Sequence, residues 1–151
     1  MSLNKDLTWY LAGPMSNIPK FNFPLFERVA TFLREQGYTI ISPHELDGEK
    51  ERAEAWESKA GNCDEAYYWK CLVRDVDIVT SKVGGIVFLP QWWTSRGAKL
   101  EAFVGLLTDK EFGLFVRAGD YNPATDNPHK TDDVIVASKG YVRFGLKEAM
   151  P

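Results

Sequence analysis

Apolar runs alternate along the chain with segments whose apolar residues recur every three or four positions, and this alternation predicts a sheet covered by helices. Thr8–Ala12 and residues 38–42 are short apolar runs, each stopped by a turn that contains proline. Between them, the apolar residues of 24–37 form one stripe at helical spacing, with proline at its start and glycine at its end. These three elements form a βαβ unit, which is right-handed by default.

The same alternation continues towards the C-terminus. It predicts a helix over 64–80 with Asp64 as its candidate N-cap, and a strand over 83–89 that is stopped by a proline. A helix that carries Glu101 follows, and then a strand over 112–116. Strands that alternate with helices in this way are typical of a parallel sheet.

Three segments lack so clear a pattern. Residues 44–62 are acidic and polar, which indicates a loop or a loose solvent-facing helix. Residues 119–130 indicate a connection, and 133–137 predict one more short strand or a helical turn. We therefore predict one α/β domain over residues 1–151. Its expected architecture is a three-layer, doubly wound, Rossmann-like or flavodoxin-like fold, with a mostly parallel sheet of about five strands and helices on both faces.

Composition narrows the functional classes. The net charge of −3 gives no basic excess for a nucleic-acid polymer, whereas small anions remain suitable ligands. Cys63 and Cys71 lack a second cysteine pair and nearby histidines, so we predict neither a zinc site nor a disulfide framework, and expect no metal and no cofactor. A leader and an apolar run of membrane-spanning length are both missing, and we therefore expect a cytoplasmic protein without a membrane partner.

Candidate chemistry follows the strand at 83–89. Glu101 is expected near the N-terminal end of the next helix, beside unpaired backbone N–H groups that favour its ionised form. Such a carboxylate is either a nucleophile or merely an acid at a helix start. Just before it, Ser95, Arg96 and Gly97 would suit an anion such as phosphate, although capping by Thr94 or Ser95 explains the same residues.

Two other segments at or after predicted element ends deserve attention. Residues 11–17 form a turn whose Gly13 lets the backbone approach a ligand, but they lack the glycine spacing of a dinucleotide site or a P-loop. The adjacent Arg74 and Asp75 lie late in a predicted helix, where such a pair is usually exposed to solvent. Each segment therefore has a structural interpretation beside the functional one.

The order of these motifs resembles that of the nucleoside 2-deoxyribosyltransferase superfamily. The resemblance is carried by residues 10–15, 22–26, 37–43, 74–75 and 89–101, and its most specific element is the Ser-Arg-Gly-Ala-x-x-Glu block that ends at Glu101. Within the superfamily the chain is most similar to the small phage and prophage members. The C-terminal tail adds almost nothing to the match.

This resemblance implies roles for individual residues. Glu101 matches the nucleophile that attacks the anomeric carbon, and Asp75 matches the group that exchanges a proton with the departing base. Further matches are to the substrate-binding loops, and they comprise Tyr10, Gly13, Pro14, Met15 and Asn22. Trp92 and the adjacent Trp93 would stack on a base, close a subunit interface or serve as packing residues.

Ser95 bears on the choice of substrate. Superfamily members that act on free nucleosides usually have an acid six residues before the nucleophile, whereas those that hydrolyse 2′-deoxynucleoside 5′-monophosphates have a serine, as this chain does. An aspartate would repel a phosphate, while a serine hydroxyl donates to it, and Arg96 and Gly97 at the helix start would add further donors.

The resemblance thus implies cleavage of the N-glycosidic bond of a (deoxy)nucleoside 5′-monophosphate through a glycosyl-Glu101 intermediate, with release of the free base. Two alternatives are a 2-deoxyribosyltransferase that moves the sugar between bases, and a non-catalytic module that binds or senses nucleotides. The expected partners are a small-molecule nucleotide or nucleoside and further copies of the chain. A homodimer or higher homo-oligomer is implied because superfamily members complete their sites with residues of a neighbouring subunit.

Overall fold

The central sheet of the computed structural model, which describes residues 2–149, has five strands. In chain order they are β1 (Thr8–Ala12), β2 (Thr39–Ile41), β3 (Gly85–Phe88), β4 (Glu111–Val116) and β7 (Asp133–Ala137). A small separate hairpin, β5 (Tyr121–Asn122) with β6 (Asn127–Pro128), lies between β4 and β7 along the chain. The predicted α/β class and the number of sheet strands are therefore confirmed.

The strand order β2-β1-β3-β4-β7 places β1 at the point where the chain changes direction across the sheet. Tyr10 in β1 pairs with Ile41 on one side and with Ile86 on the other, both in parallel register. The sheet is parallel except for β7, which runs antiparallel to β4 at the edge. In open sheets of this kind, ligands bind outside the carboxyl ends of the strands that flank the reversal. Here those strands are β1 and β3.

Helices cover both faces of this sheet and form two apolar layers with it. The helices that the structure describes are α1 (Phe23–Glu35), α2 (Glu49–Glu57), α3 (Glu65–Ser81), α4 (Arg96–Leu107) and α5 (Lys139–Ala149), of which α2 belongs to neither layer. On one face, Phe26, Val29 and Leu33 of α1 pack against Trp9 and Leu11 of β1. The other layer joins the sheet to α3, α4 and α5, with Ile78, Val79, Ala98, Ala102 and Val142 among its buried residues. The alternation of apolar positions along each strand thus divides between the two layers.

Three elements refine what the sequence pattern left open. The acidic segment contains α2, which buries Ala55 and exposes most of its charged side chains. Residues 133–137 form a strand rather than a helical turn, because they pair with β4 along its length. The last helix, α5, was not predicted, since Gly140 and Gly145 lower its helix propensity.

Gly145 is required there, because a Cβ at this position would lie 2.4 Å from the ring of Trp92. This close approach lets α5 cover the indole. Among residues 2–149, no helix has both the length and the apolar character needed to cross a membrane.

Candidate active site

A cavity of about 420 Å³ opens at the carboxyl ends of β1 and β3. Its walls come from β1 and the loop after it, from the α2 segment, from α3 and from the first turns of α4. The residues predicted from the sequence that line it are Tyr10, Gly13, Met15, Asp75, Ser95, Gly97 and Glu101. The fold therefore brings the three separate motifs to one place.

Glu101 is the sixth residue of α4, and its side chain is buried on the cavity wall. The residue is only 5% exposed, and its Oε2 atom has no hydrogen-bond partner among the described residues. Burial raises the pKa of Glu101 well above its ordinary value, and the charge of Asp75 raises it further.

The expectation that free helix N–H groups hold Glu101 ionised is therefore wrong. Only the first four N–H groups of a helix lack intrahelical partners, and Glu101 lies beyond them in the second turn. Desolvation dominates its electrostatics instead.

Tyr10 of β1 carries the second buried polar group of the cavity wall. Its side chain is fully buried, and its hydroxyl, like Glu101 Oε2, has no hydrogen-bond partner within the described residues. Burial raises the pKa of Tyr10, and the charges of Glu101 and Asp75 raise it further. The hydroxyl therefore keeps its proton and is a donor available to a carboxylate or a ligand.

Asp75 lies on α3 with its side chain 13% exposed. Its Oδ1 atom accepts a hydrogen bond from Arg74 Nε at 2.9 Å, so the pair is not the solvent-exposed one that the sequence alone favours. Burial raises the pKa of Asp75 against the opposing effect of Arg74. A raised pKa suits the proton-exchanging role that the resemblance implies for Asp75.

The start of α4 forms another part of the cavity wall. Ser95 is the N-cap of the helix, and its Oγ atom accepts a hydrogen bond from the N–H of Ala98 at 3.2 Å. Across residues 2–149, the N–H groups of Arg96 and Gly97 have no hydrogen-bond acceptor. The Ser95 hydroxyl still has its own proton to donate, so the cap and the anion-binding interpretations are compatible.

Gly97 leaves space at this helix start. A Cβ built on it would come no closer than 3.7 Å to a neighbouring side chain, which is ordinary contact. Packing therefore does not require glycine here. The small residue keeps the adjoining N–H groups open to the cavity that Gly97 lines.

Pro14 and Asn22, both predicted to bind substrate, do not line the cavity. Asn22 Nδ2 donates a hydrogen bond to the Pro14 carbonyl at 2.9 Å, so the two residues hold the loop in place without lining the cavity. Gly13 lines the cavity, but a Cβ there would lie 2.7 Å from Leu89 Cβ. Its lack of a side chain is therefore required by packing against Leu89, whereas the sequence suggested approach to a ligand.

Arg96 does not line the cavity either. Its side chain is exposed, and its guanidinium lies 5.4 Å from the centre of the Tyr68 ring, beside a separate rim groove of about 290 Å³. The aromatic face attracts the cation and holds it at the rim. A role at the cavity mouth fits this position better than a bond inside it.

The prediction that Trp92 binds substrate is wrong. Trp92 is fully buried and stacks on Phe88 with ring centres 4.4 Å apart, and its Nε1 donates to the Tyr141 hydroxyl at 3.1 Å. A short 3-10 turn, Trp92–Thr94, directs this indole into the core beneath α5, while Trp93 stays 40% exposed. Of the three roles considered for the tryptophans, packing is the one that Trp92 has.

Sequence reasoning missed Asp47, Tyr67 and Cys71, which also line the cavity. Tyr67 and Cys71 precede Asp75 by two turns and one turn of α3, so helical spacing could have identified them. Asp47 lies in the segment before α2, where no local pattern distinguishes it from neighbouring acids. Its Oδ1 atom accepts a hydrogen bond from Arg74 Nη1, a contact that depends on the tertiary fold.

The cavity thus combines two carboxyl groups that resist ionisation with a tyrosine hydroxyl and a helix start that offers N–H donors. Such a set can transfer a proton, provide a carboxylate nucleophile and bind an anionic group. In the described part of the chain, no three or more His, Cys, Asp or Glu side chains are arranged to hold a metal ion.

A comparison with curated proteins found no match to the chain. A family model described as a domain of unknown function, DUF4406, matches residues 7–111. The matched range includes Tyr10, Asp75, Ser95 and Glu101, which are among the polar residues that line the cavity. The chain therefore belongs to the DUF4406 family.

Proposed function

We propose that the protein cleaves the N-glycosidic bond of a (deoxy)nucleoside 5′-monophosphate and releases the free base. The observation that carries the proposal is the buried Oε2 atom of Glu101, which lacks a partner and lies on a cavity wall shared with Asp75 and the Tyr10 hydroxyl. Burying an unpaired carboxyl costs stability, so its retention beside a second carboxyl favours a chemical role. The motif resemblance to the nucleoside 2-deoxyribosyltransferase superfamily supports the same assignment.

In the first step, the Glu101 carboxylate attacks the anomeric carbon while the bond to the base breaks. Asp75 gives its proton to the departing base, which leaves neutral, and the sugar becomes an ester of Glu101. In the second step, the ionised Asp75 removes a proton from water, and the water oxygen attacks the anomeric carbon. The ester bond breaks, and both carboxyl groups regain their starting states.

These two reaction steps require that Glu101 and Asp75 together carry one negative charge and one proton. Burial raises the pKa of Glu101 and of Asp75, and the charge of Asp75 opposes ionisation of Glu101. Two such groups favour a state in which they share a single charge. Donation from the Tyr10 hydroxyl would stabilise that charge on Glu101, which leaves the proton on Asp75.

The phosphate assignment rests on the start of α4. The Ser95 hydroxyl and the free N–H groups of Arg96 and Gly97 can each donate to a phosphate oxygen, and the positive end of the helix favours an anion. An acid at the serine position would instead suit a neutral sugar hydroxyl. The same site would transfer the sugar if a second base replaced water as acceptor.

Incubation with a panel of nucleosides and their 5′-monophosphates, followed by chromatography of the free base, tests this function. We expect base release from monophosphates by the natural chain and none from Glu101→Ala. Exchange of labelled base into the substrate would favour the transferase instead. If the compounds bind to both proteins with equal affinity and no base appears, the protein is a binding module and the proposal is wrong.

We also propose that a second copy of the chain packs against the outer face of α3 and α4. This face exposes large apolar side chains, which are Trp69, Val73, Phe103 and Leu107. Exposed apolar groups on adjacent helices are typical of subunit interfaces. Trp93 is exposed next to α4, whereas Trp92 is buried in the core and takes no part.

A further inference from the structure

The Arg74 guanidinium binds two carboxylates at once. Its Nε donates to Asp75 Oδ1 at 2.9 Å, and its Nη1 donates to Asp47 Oδ1 at 2.6 Å. The Asp47 and Asp75 side chains are 14% and 13% exposed, and that of Arg74 is 29% exposed. The segment before α2 is thereby tied to the proposed acid on α3 across the cavity wall.

A lone arginine would be unfavourable for an acid at this position. An opposite charge at hydrogen-bond distance lowers the pKa of a carboxyl group by about 1–3 units and holds it ionised. An ionised Asp75 has no proton to give to a leaving base. Burial already opposes the effect of Arg74 on Asp75, and a second carboxylate on the same guanidinium would oppose it further.

We propose that Asp47 is a positioning residue that acts through Arg74: by binding Nη1 it shares the guanidinium charge, so that Asp75 stays oriented by Nε yet still holds a proton. One positive charge then faces two carboxylates, and a proton on Asp75 relieves the excess negative charge. This inference rests on the proposed function, in which Asp75 is the acid.

Other groups around Asp75 fit this arrangement. Burial opposes ionisation of Asp75 most strongly, and the charge of Asp47 adds to this effect. Arg74, beside it on α3, and the nearby Tyr10 hydroxyl on β1 favour its ionised form. From α4, Glu101 is close enough for the charge of Asp75 to raise its pKa.

Two neutral groups complete the surroundings of Asp47. Cys71 Sγ donates to Asp47 Oδ1 at 3.8 Å, and burial, together with the charge of Asp47, raises the pKa of that thiol to about 11. Burial also raises the pKa of Tyr67, and Asp47 contributes to the rise. Near neutral pH neither group adds a charge. Burial is then the largest influence on the pKa of Asp75, and Arg74, Asp47 and Glu101 are the charged or ionisable groups around it.

Carboxyl ¹³C NMR titration of the full chain tests the inference without substrate. The Asp75 signal is assigned by its absence in Asp75→Asn, and its midpoint is compared among variants. Asp47→Asn keeps an oxygen for Arg74 but removes the charge, so we expect the Asp75 midpoint to fall by about one pH unit. Arg74→Gln removes the positive charge, and we expect a rise of about 1–3 units.

Asp77→Asn is the matched control, because Asp77 is exposed on the same helix and does not line the cavity. Its Asp75 midpoint should equal that of the natural chain. An unchanged or raised midpoint in Asp47→Asn overturns the inference, as does an equal shift in Asp77→Asn. If Arg74→Gln does not fold, the isosteric Asp47→Asn still decides.

Base release provides a second measurement. If Asp75 is the acid, the basic limb of kcat/KM against pH should move to lower pH in Asp47→Asn, in step with the NMR midpoint. A shifted midpoint in a protein that releases no base would leave the role of Asp47 intact and overturn the proposed function. An unshifted midpoint in an enzyme that releases base would overturn the role of Asp47 and leave the proposed function intact.

Discussion

The side-chain amide of Asn22 donates a hydrogen bond to the carbonyl oxygen of Pro14 at 2.9 Å. Asn22 has a positive φ of 60°, as do the two residues before it, Lys20 and Phe21, with φ of 58° and 52°. Left-handed backbone at three successive non-glycine residues is costly, and the bond to Pro14 helps to hold it. Through this bond the strained turn fixes the loop that carries Gly13 and Met15 into the cavity.

Removing the Asn22 amide should loosen that loop. We expect Asn22→Ala to lower the free energy of unfolding by about 1–3 kcal/mol, because the buried Pro14 carbonyl loses its partner, and to raise KM. Chemical denaturation and steady-state kinetics measure the two effects. Asn22→Gly also loses the bond but tolerates the positive φ, so it should retain more stability than Asn22→Ala. If both variants have the stability and the KM of the natural chain, the proposed role of the Asn22 amide is wrong.

Replacing Asp75 should matter most for bases that leave poorly. Positioned proton transfer contributes about 10²–10⁴-fold to a rate. We therefore expect Asp75→Asn to slow release of poor leaving bases by about that factor and of good leaving bases by less. Rates across a leaving-group series measure this, with the exposed Asp77→Asn as the control. Equal losses across the series would show that Asp75 is not the acid.

Glu101 should make stability depend on pH. Its pKa is raised in the folded chain from an ordinary value of 4.5, so the folded state binds more protons than the unfolded state above that pH. Stability contributed by this group is complete below pH 4.5 and is lost as pH rises through the folded pKa. Glu101→Gln should therefore lose less stability than the natural chain over that range. Thermal unfolding at a series of pH values measures it, and parallel curves would refute the expectation.

Ser95 should control the choice between phosphate and a free 5′-hydroxyl. Aspartate is as good an N-cap as serine, so Ser95→Asp should fold normally, yet its charge would repel a phosphate. We expect KM for 5′-monophosphates to rise at least about tenfold, equivalent to about 1.4 kcal/mol, while nucleosides bind as well or better. Ser95→Thr keeps both the hydroxyl and the cap and serves as the control. Equal changes in KM for 5′-monophosphates and for nucleosides would show that Ser95 does not recognise the phosphate.

The exposed apolar face of α3 and α4 should mediate self-association. Leu107 and Val73 are 70% and 71% exposed, and a carboxylate in place of either would be buried without a partner in an interface. We expect the natural chain to sediment as a dimer or larger oligomer, and Leu107→Glu to shift it towards monomer. Tyr121→Glu, an exposed residue of the β5–β6 hairpin, should leave the state unchanged. A monomeric natural chain at working concentration would contradict the proposal.

The helices and strands that are determined by local sequence pattern could be predicted from the sequence. Proline and glycine punctuation and apolar spacing located β1, α1, α3, β3, α4 and β4. Ser95 and Glu101 were accessible for the same reason, since both fall in one short stretch at a strand-to-helix junction. Asp64 as the cap of α3 is likewise a local feature, and its Oδ1 accepts the Tyr67 N–H at 2.8 Å.

Features that depend on tertiary contacts were not predictable. The orientation of Trp92 is fixed by Phe88 beneath it and by the approach of Gly145, and Gly145 lies far from it in sequence. The burial that raises the pKa of Glu101 comes from the packed cavity wall, whereas the sequence showed only its distance from a helix start. Asp47 reaches Arg74 across 27 residues.

The close contact between Gly145 and Trp92 makes the C-terminal helix part of the unit that packs together. The family match ends at residue 111, at the first residue of β4, whereas β7 and α5 follow it. A chain shortened to the matched range would lose most of β4 and the strand that pairs with it, and would expose to water an indole that is now fully buried. The region shared with the family therefore ends before the region that packs into one hydrophobic core. The segment after residue 111 completes the hydrophobic layer beneath α4.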